Sequence, residues 1–374
     1  MRWGLTAVVL LAALLGAAGH AAAAVPQVAA QAFVVESADG TVLAERSPDE
    51  QRAIASITKL MTALVALERL SLDEVVVVPA AAAGVGGASL GLRAGERVTV
   101  RDLAVGALVP SANDAATALA LRAGRGSLAR FVGLMNAKAA ALGLRSTRFA
   151  NPHGLDQAGH HSSARDTAEL LRVAARVPFV RRWSGAAAAR IAGGRLVRST
   201  DRLLARVPEL VAAKTGHTGG AGWSQVGLAR RGPIGIVVSV LGSPTEEQRD
   251  RDLEALLRWG LAQYRVVKAV DRARAYARVE VGWGLEPLRL VPARTVKRVL
   301  RVGRPLLERV VAARTASLPV RRGQRLGEVR VFDGGRRIAT VPLVATRTVA
   351  VPSLGAKAWW TTRRTGHHLI GFVS

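Results

Sequence analysis

The hydrophobic period of this chain changes twice, and those changes bound the folds open to it. Residues 31–45, "QAFVVESADGTVLAE", are two apolar runs about an Asp39-Gly40 turn and read as a β-hairpin. From Ser56 the apolar residues Ile57, Leu60, Met61, Leu64, Val65 and Leu67 recur at helical spacing, so a helix begins at or near Ser56. Ala/Leu-rich helical segments separated by turns such as "ANPHGLDQAGHH" fill about 100–185. "GWSQVGLARR" and "GPIGIVVSVLG" then read as strands, and a helix over roughly 245–264 closes the region. Strands outside with helices between predict an α/β (α+β) domain over 25–265.

From about 268 the chain turns to short β-branched runs broken by Gly and Pro, among them "GEVRVFDGGRRIATVPLVA" with a turn at Gly334-Gly335. This predicts a small all-β domain over 266–350. The tail, 351–374, mixes Trp359, Trp360, Arg363, Arg364, Leu369, Ile370 and Phe372, a combination suited to a membrane interface. Gly355 and Gly366 weaken a helix there, so a loose tail is the plainer expectation. At the other end Arg2, an apolar run from Leu5 to Ala18 and small residues at Ala22 and Ala24 predict a secretory signal over 1–24, with an uncleaved anchor as the alternative, and an exported protein in either case.

Export decides what the charge means. A net charge of +26 would suggest nucleic acid inside a cell, but outside it the partners are anionic lipids and wall polymers. The arginines are spread along the chain without aromatic-flanked basic runs, which argues against nucleic-acid binding. With no cysteine there is no disulfide, thiolate nucleophile or cysteine metal site, and serine is left as the nucleophile for covalent chemistry.

Of the 53 basic residues only six are lysine: Lys59, Lys138, Lys214, Lys268, Lys297 and Lys357. Arginine stays charged in a protein, whereas a buried lysine can lose its proton, so a lysine kept in this chain is a candidate for one that titrates. Lys59 stands three residues after Ser56 in "ASITKLMTAL", one turn on and on the same helix face. About 0.3 Ser-x-x-Lys matches are expected by chance from this composition, and this is the one present.

Two further triplets follow in order. "LVPSANDAATALA" carries Ser111-x-Asn113 ahead of a helical run, and "LVAAKTGHTGGAGWSQVGLA" carries Lys214-Thr215-Gly216 on a strand that leads to a turn. Singly they have ordinary explanations as a helix cap, a turn and a strand end. Together and in this order they are the pattern of β-lactamases and penicillin-binding proteins. With "RAIASITKLMTALVALE", "FANPHGLDQAGHHSSARDTAELL" and "AAKTGHTGGAGWS", residues 30–265 resemble the low-molecular-mass penicillin-binding proteins that are D-alanyl-D-alanine carboxypeptidases. "LPVRRGQRLGEVRVFDGGRRIATVPLVA" is similar to the β-rich C-terminal domain that many of them carry. Departures are Ile54 where the family often has Pro, Trp223-Ser224 in place of a Tyr-led pair, and "RSTDRLL" without the asparagines often found there.

The resemblance implies a serine β-lactamase/transpeptidase-like catalytic domain acting on peptidoglycan stem peptides that end in D-Ala-D-Ala, with β-lactam antibiotics as acylating inhibitors. In it Ser56 is the nucleophile, Lys59 its base and Ser111 the relay to the leaving amine. Asn113 holds the substrate amide, and Lys214 and Thr215 bind the terminal carboxylate. Gly216 lets the strand approach, and the backbone N–H groups of Ser56 and His217 form the oxyanion hole. No cofactor is implied. His153, His160 and His161 with Asp156 and Asp166 fit no zinc spacing, and "GVGGASLG" lacks the lysine of a phosphate loop. A β-lactamase would need a deacylating carboxylate, for which Glu169 has no evident role. A catalytically silent wall-binding protein would have no need of Ser56, Lys59 and Lys214 together. Transpeptidase or endopeptidase activity on the same scaffold differs only in the acyl acceptor.

Overall fold

The computed structural model describes Val8–Val9 and residues 24–370, with side chains over 24–362. The export signal expected over 1–24 lies outside the described residues, save Val8, Val9 and Ala24, as do Phe372 and the side chains of Arg363, Arg364, Leu369 and Ile370. The described chain divides into two compact units between Gln263 and Tyr264.

The first unit is built on five antiparallel strands: β1 (Ala32–Ser37), β2 (Val42–Arg46), β3 (Leu210–Thr218), β4 (Gly222–Arg231) and β5 (Ile234–Ser243), in the spatial order β2-β1-β5-β4-β3. The expected hairpin is β1–β2. β5 is buried along its whole length because both its faces are covered. Ile236 meets helix Glu246–Ala262, where a Cβ on Gly260 would come within 2.7 Å of it. Three residues on, and so on the other face, Ser239 Oγ lies 2.8 Å from Thr167 Oγ1 of helix Ala164–Ala174. A helix layer therefore covers each side of the sheet. β3, the strand with Lys214-Thr215-Gly216, is left at the edge.

Helix α1 (Lys59–Leu67) is buried at every position from Lys59 to Ala66. An all-round buried helix is the centre of a helical subdomain, here packed among Leu103, Leu119, Phe131 and Leu171 of four other helices. Of those, α2 (Asn113–Ala123) matters for the site. Lys59 heads α1 and Asn113 heads α2.

In the second unit strands Ala277–Val279, Leu288–Pro292, Arg336–Ala345, Arg325–Asp333 and Leu306–Ala312 form one antiparallel sheet in that order, with Val8–Val9 paired to its outer edge. Gly334-Gly335 makes the expected hairpin turn. A separate ribbon pairs Tyr264–Val270 with Val296–Arg301. The tail departs from the looser expectation, because Leu354–Ile370 is helical. Trp360 packs edge-on against Trp283 at 5.6 Å, and Lys357 lies over the Trp283 ring. These contacts offset the roughly 1 kcal/mol that each glycine costs a helix.

Candidate active site

The turn before α1 is held from two sides. Ala55 takes a left-handed φ of 46°, and Ala55–Thr58 forms a 3-10 turn that delivers Ser56 to the head of the helix. A Cβ on Gly216 would stand 2.6 Å from Ile54 O and 3.2 Å from the Ser56 nitrogen, and one on Gly154 would overlap Ala55 O. Edge strand and loop thus press the nucleophile turn from opposite chain segments, and only glycine permits the contact. The strain at Ala55 is of the kind found where surrounding structure fixes a functional group.

Ser56 is half-buried; Lys59 is wholly buried and donates to Ser56 Oγ at 2.6 Å and to the His153 carbonyl at 2.8 Å. Among the described residues no carboxylate touches it. Burial first, then the charge of Lys214, push its pKa well below the ordinary lysine value, with Asp114 opposing weakly. The shift is toward the neutral amine, the form in which a lysine beside a hydroxyl can take its proton.

Ser111 also has a left-handed backbone, φ 63°, between helix Val100–Leu108 and α2. Lys214 Nζ donates to Ser111 Oγ at 2.8 Å and to Thr215 O at 3.0 Å. Burial brings its pKa down to about 7; Asp201 resists and Arg249 adds to the fall. Both lysines are shifted toward the neutral amine, and Lys214 still carries charge below about pH 7. Thr215 Oγ1 lies 2.7 Å from Thr200 Oγ1, and Asn113 Nδ2 donates to Gly86 O at 2.7 Å. The adjacent Asp114 accepts from Ser89 Oγ and from the Leu90 and Leu92 nitrogens, tying the 86–92 loop to the head of α2.

Ser56, Ser111, Thr215, Gly216, His217 and Trp223 line one cavity of about 240 Å³, which Glu246 and Arg249 also reach. All eight residues singled out in the sequence therefore converge: five line this cavity, Lys59 and Lys214 bond to Ser56 and Ser111 on its wall, and Asn113 heads the helix beside Ser111. His217 stacks on Trp223 with ring centroids 3.8 Å apart, and the buried Arg249 lies over the same indole. Sequence reasoning missed the His153 carbonyl, Asp114, Thr200, Asp201 and Arg249. Only Asp114, next to Ser-x-Asn, carried a positional signal; Arg249, in "EEQRDRDLEALL", reads as surface charge but is 1% exposed and bonded to Asp250 at 2.6 Å.

The histidines have structural work. His160 Nδ1 accepts from the Ala150 nitrogen, which leaves its other ring nitrogen to donate to Thr58 Oγ1 at 2.8 Å, and burial lowers its pKa to about 4. His153 Nδ1 accepts from the Leu155 nitrogen. Asp156 binds Thr218 and the Gly220 nitrogen, and Asp166 binds Thr147 and the Ser146 nitrogen. Among the described residues no group of three or more such side chains is placed to hold a metal. Glu169 is ion-paired with Arg172 and does not line the cavity.

The model of the D-alanyl-D-alanine carboxypeptidase family matches residues 19–245. The D-alanyl-D-alanine carboxypeptidase DacD of Escherichia coli strain K12 is 30% identical over 348 residues, covering 88% of this chain and 89% of that protein. The D-alanyl-D-alanine carboxypeptidase DacF of Bacillus subtilis strain 168 is 29% identical over 330 residues, covering 85% of each. The crystal structure of penicillin-binding protein 5 from Haemophilus influenzae superposes with a TM-score of 0.64 at 26% identity, over 88% of this chain and 100% of that one.

Proposed function

We propose, from the premise that this chain belongs to the D-alanyl-D-alanine carboxypeptidase family, a reaction in which Ser56 is acylated by the penultimate D-Ala of a peptidoglycan stem peptide and the last D-Ala leaves. Ser56 Oγ attacks the scissile carbonyl as Lys59 takes its proton. The oxyanion forms against the backbone N–H groups of Ser56 and His217. As the C–N bond breaks, the proton passes by way of Ser111 to the leaving amine. Water then attacks the ester with Lys59 again as base, and hydrolysis frees Ser56 and the shortened peptide. Lys214 and Thr215 bind the substrate's C-terminal carboxylate, and Asn113 holds its amide. β-Lactams acylate the same serine.

The observation that carries this reading is the 2.6 Å bond between Ser56 Oγ and the buried Lys59 amine, whose pKa burial and the Lys214 charge push well below the ordinary lysine value. The β-lactamase alternative needs a free deacylating carboxylate, whereas Glu169 is held by Arg172 away from the cavity and Glu246, which lines it, is paired with Arg202 and Arg249. The test is release of free D-alanine from a peptide ending in D-Ala-D-Ala, beside the same peptide with an amidated C-terminus. The acid should be cut and the amide spared; no release from folded protein would refute the assignment.

The signal-like first 24 residues support export to the space where peptidoglycan lies. Exposed Leu354 and Trp359 on the tail helix support contact with a membrane surface. Among the described residues no helix is long and apolar enough to cross a membrane.

A further inference from the structure

At the opposite ends of the two catalytic helices lies a second cavity, of about 560 Å³. α1 carries Lys59 at its head and Arg69 just beyond its end; α2 carries Asn113 at its head and Arg122 in its last turn. At 1.5 Å per residue, Arg122 is roughly 14 Å along α2 from Asn113. Arg69, Arg122, Arg125 and Arg130 line this cavity, with Leu70 on its wall and Glu74 as its one acidic residue.

Two of the four arginines have jobs within the fold. Arg69 donates to Val65 O at the end of α1, and Arg122 is paired with Glu74. Cations are also favoured at helix C-termini, so neither needs a ligand to explain it. Arg125 and Arg130 are different: among the described residues neither side chain has a hydrogen bond or ion pair. Arg125 sits between Gly124 and Gly126 with a left-handed φ of 54°, where a further glycine would be free of strain. Four guanidinium groups stand against two carboxylates, Glu74 on the cavity wall and Glu68 paired with Arg69, which leaves a local excess of about two positive charges in a cleft too large for a single small anion.

We propose that this cleft is a second, non-catalytic binding site for a polyanion bearing several phosphate groups. The planar N–H fork of arginine meets phosphate oxygens two at a time, and several forks around one cavity suit successive phosphates of a chain. A polymer held there leaves the serine cleft open, so the site tethers the enzyme to a phosphate-bearing polymer while Ser56 works on a peptide. It does not depend on the peptidase reading.

The test is binding of a glycerol-phosphate oligomer to the mature protein, its R125Q/R130Q variant and an R93Q/R97Q variant. Arg93 and Arg97 are exposed and lie outside the cavity, so the second pair removes the same charge elsewhere. The site predicts at least tenfold weaker binding for R125Q/R130Q, less than twofold for R93Q/R97Q, and unchanged D-alanine release from a small peptide in both. Equal losses would mean diffuse attraction to a +26 protein and would overturn the site, as would no binding by the parent. Inorganic phosphate binding as tightly as the oligomer would overturn the polymer, and polyglutamate binding as tightly would overturn phosphate.

Discussion

Lys214 and Ser111, from a sheet edge and a turn 103 residues earlier, are joined by a 2.8 Å hydrogen bond inside the cleft. In the proposed mechanism this bond ties the strand that would bind the substrate carboxylate to the proton relay, so the charge on Lys214 would be felt in both substrate binding and turnover.

That charge gives the first prediction. The cation is lost as pH rises through about 7, so kcat/KM, which reports the free enzyme, falls on the alkaline side from about pH 7. At saturation the bound carboxylate stabilises the cation, so the alkaline limb of kcat lies at higher pH. Two coincident limbs in a pH–rate study would contradict this role for Lys214.

Gly216→Ala tests the close approach of the edge strand. The added Cβ meets a backbone oxygen at 2.6 Å, which cannot rotate away, so β3 and the Ser56 turn must separate. A displacement on the order of 1 Å at a reacting centre costs roughly 10²-fold in rate. The variant should fold with a near-parental melting temperature and lose about that much acylation by penicillin; a parental acylation rate would show that the contact is not needed.

A third prediction concerns Glu36 on β1, whose burial raises its pKa to about 7 despite nearby Arg172. The folded state holds this proton more tightly than the unfolded chain does. The stability so gained is full below about pH 4.5 and is lost as pH rises through about 7. Glu36→Gln should flatten the fall in melting temperature between pH 5 and pH 8 that the parent shows; parallel curves would rule this out.

Removing residues 353–374 should free the protein from anionic vesicles and leave D-alanine release within twofold of the parent. Sedimentation with vesicles reads the first effect, and unchanged sedimentation would dismiss the tail as a membrane contact.

The convergence of the three triplets was legible because lysine is scarce in this chain and each lysine of the pair stands at fixed spacing from other polar residues. The sheet was legible in "GPIGIVVSVLG" and the β1–β2 hairpin, where period and turn residues agree. What surrounds Lys214 was not, since Asp201, Thr200 and Arg249 reach it through tertiary folding and have no local spacing to betray them. Nor does any sequence rule announce that Ala55 and Ser111 take left-handed backbones, because neither residue prefers them. The tail helix was hidden for a related reason: its support is Trp283, some 77 residues from Trp360.

The central claim is that Ser56 is activated by an amine able to lose its proton, and the direct measurement is D-alanine release by Lys59→Arg beside Ser56→Ala. Arginine keeps the positive charge and much of the length but cannot act as base. The account predicts that both variants fold and that each loses at least 10³-fold in kcat/KM, about 4 kcal/mol of transition-state stabilisation. Activity of Lys59→Arg within tenfold of the parent would contradict it, since a fixed cation would then suffice at that position.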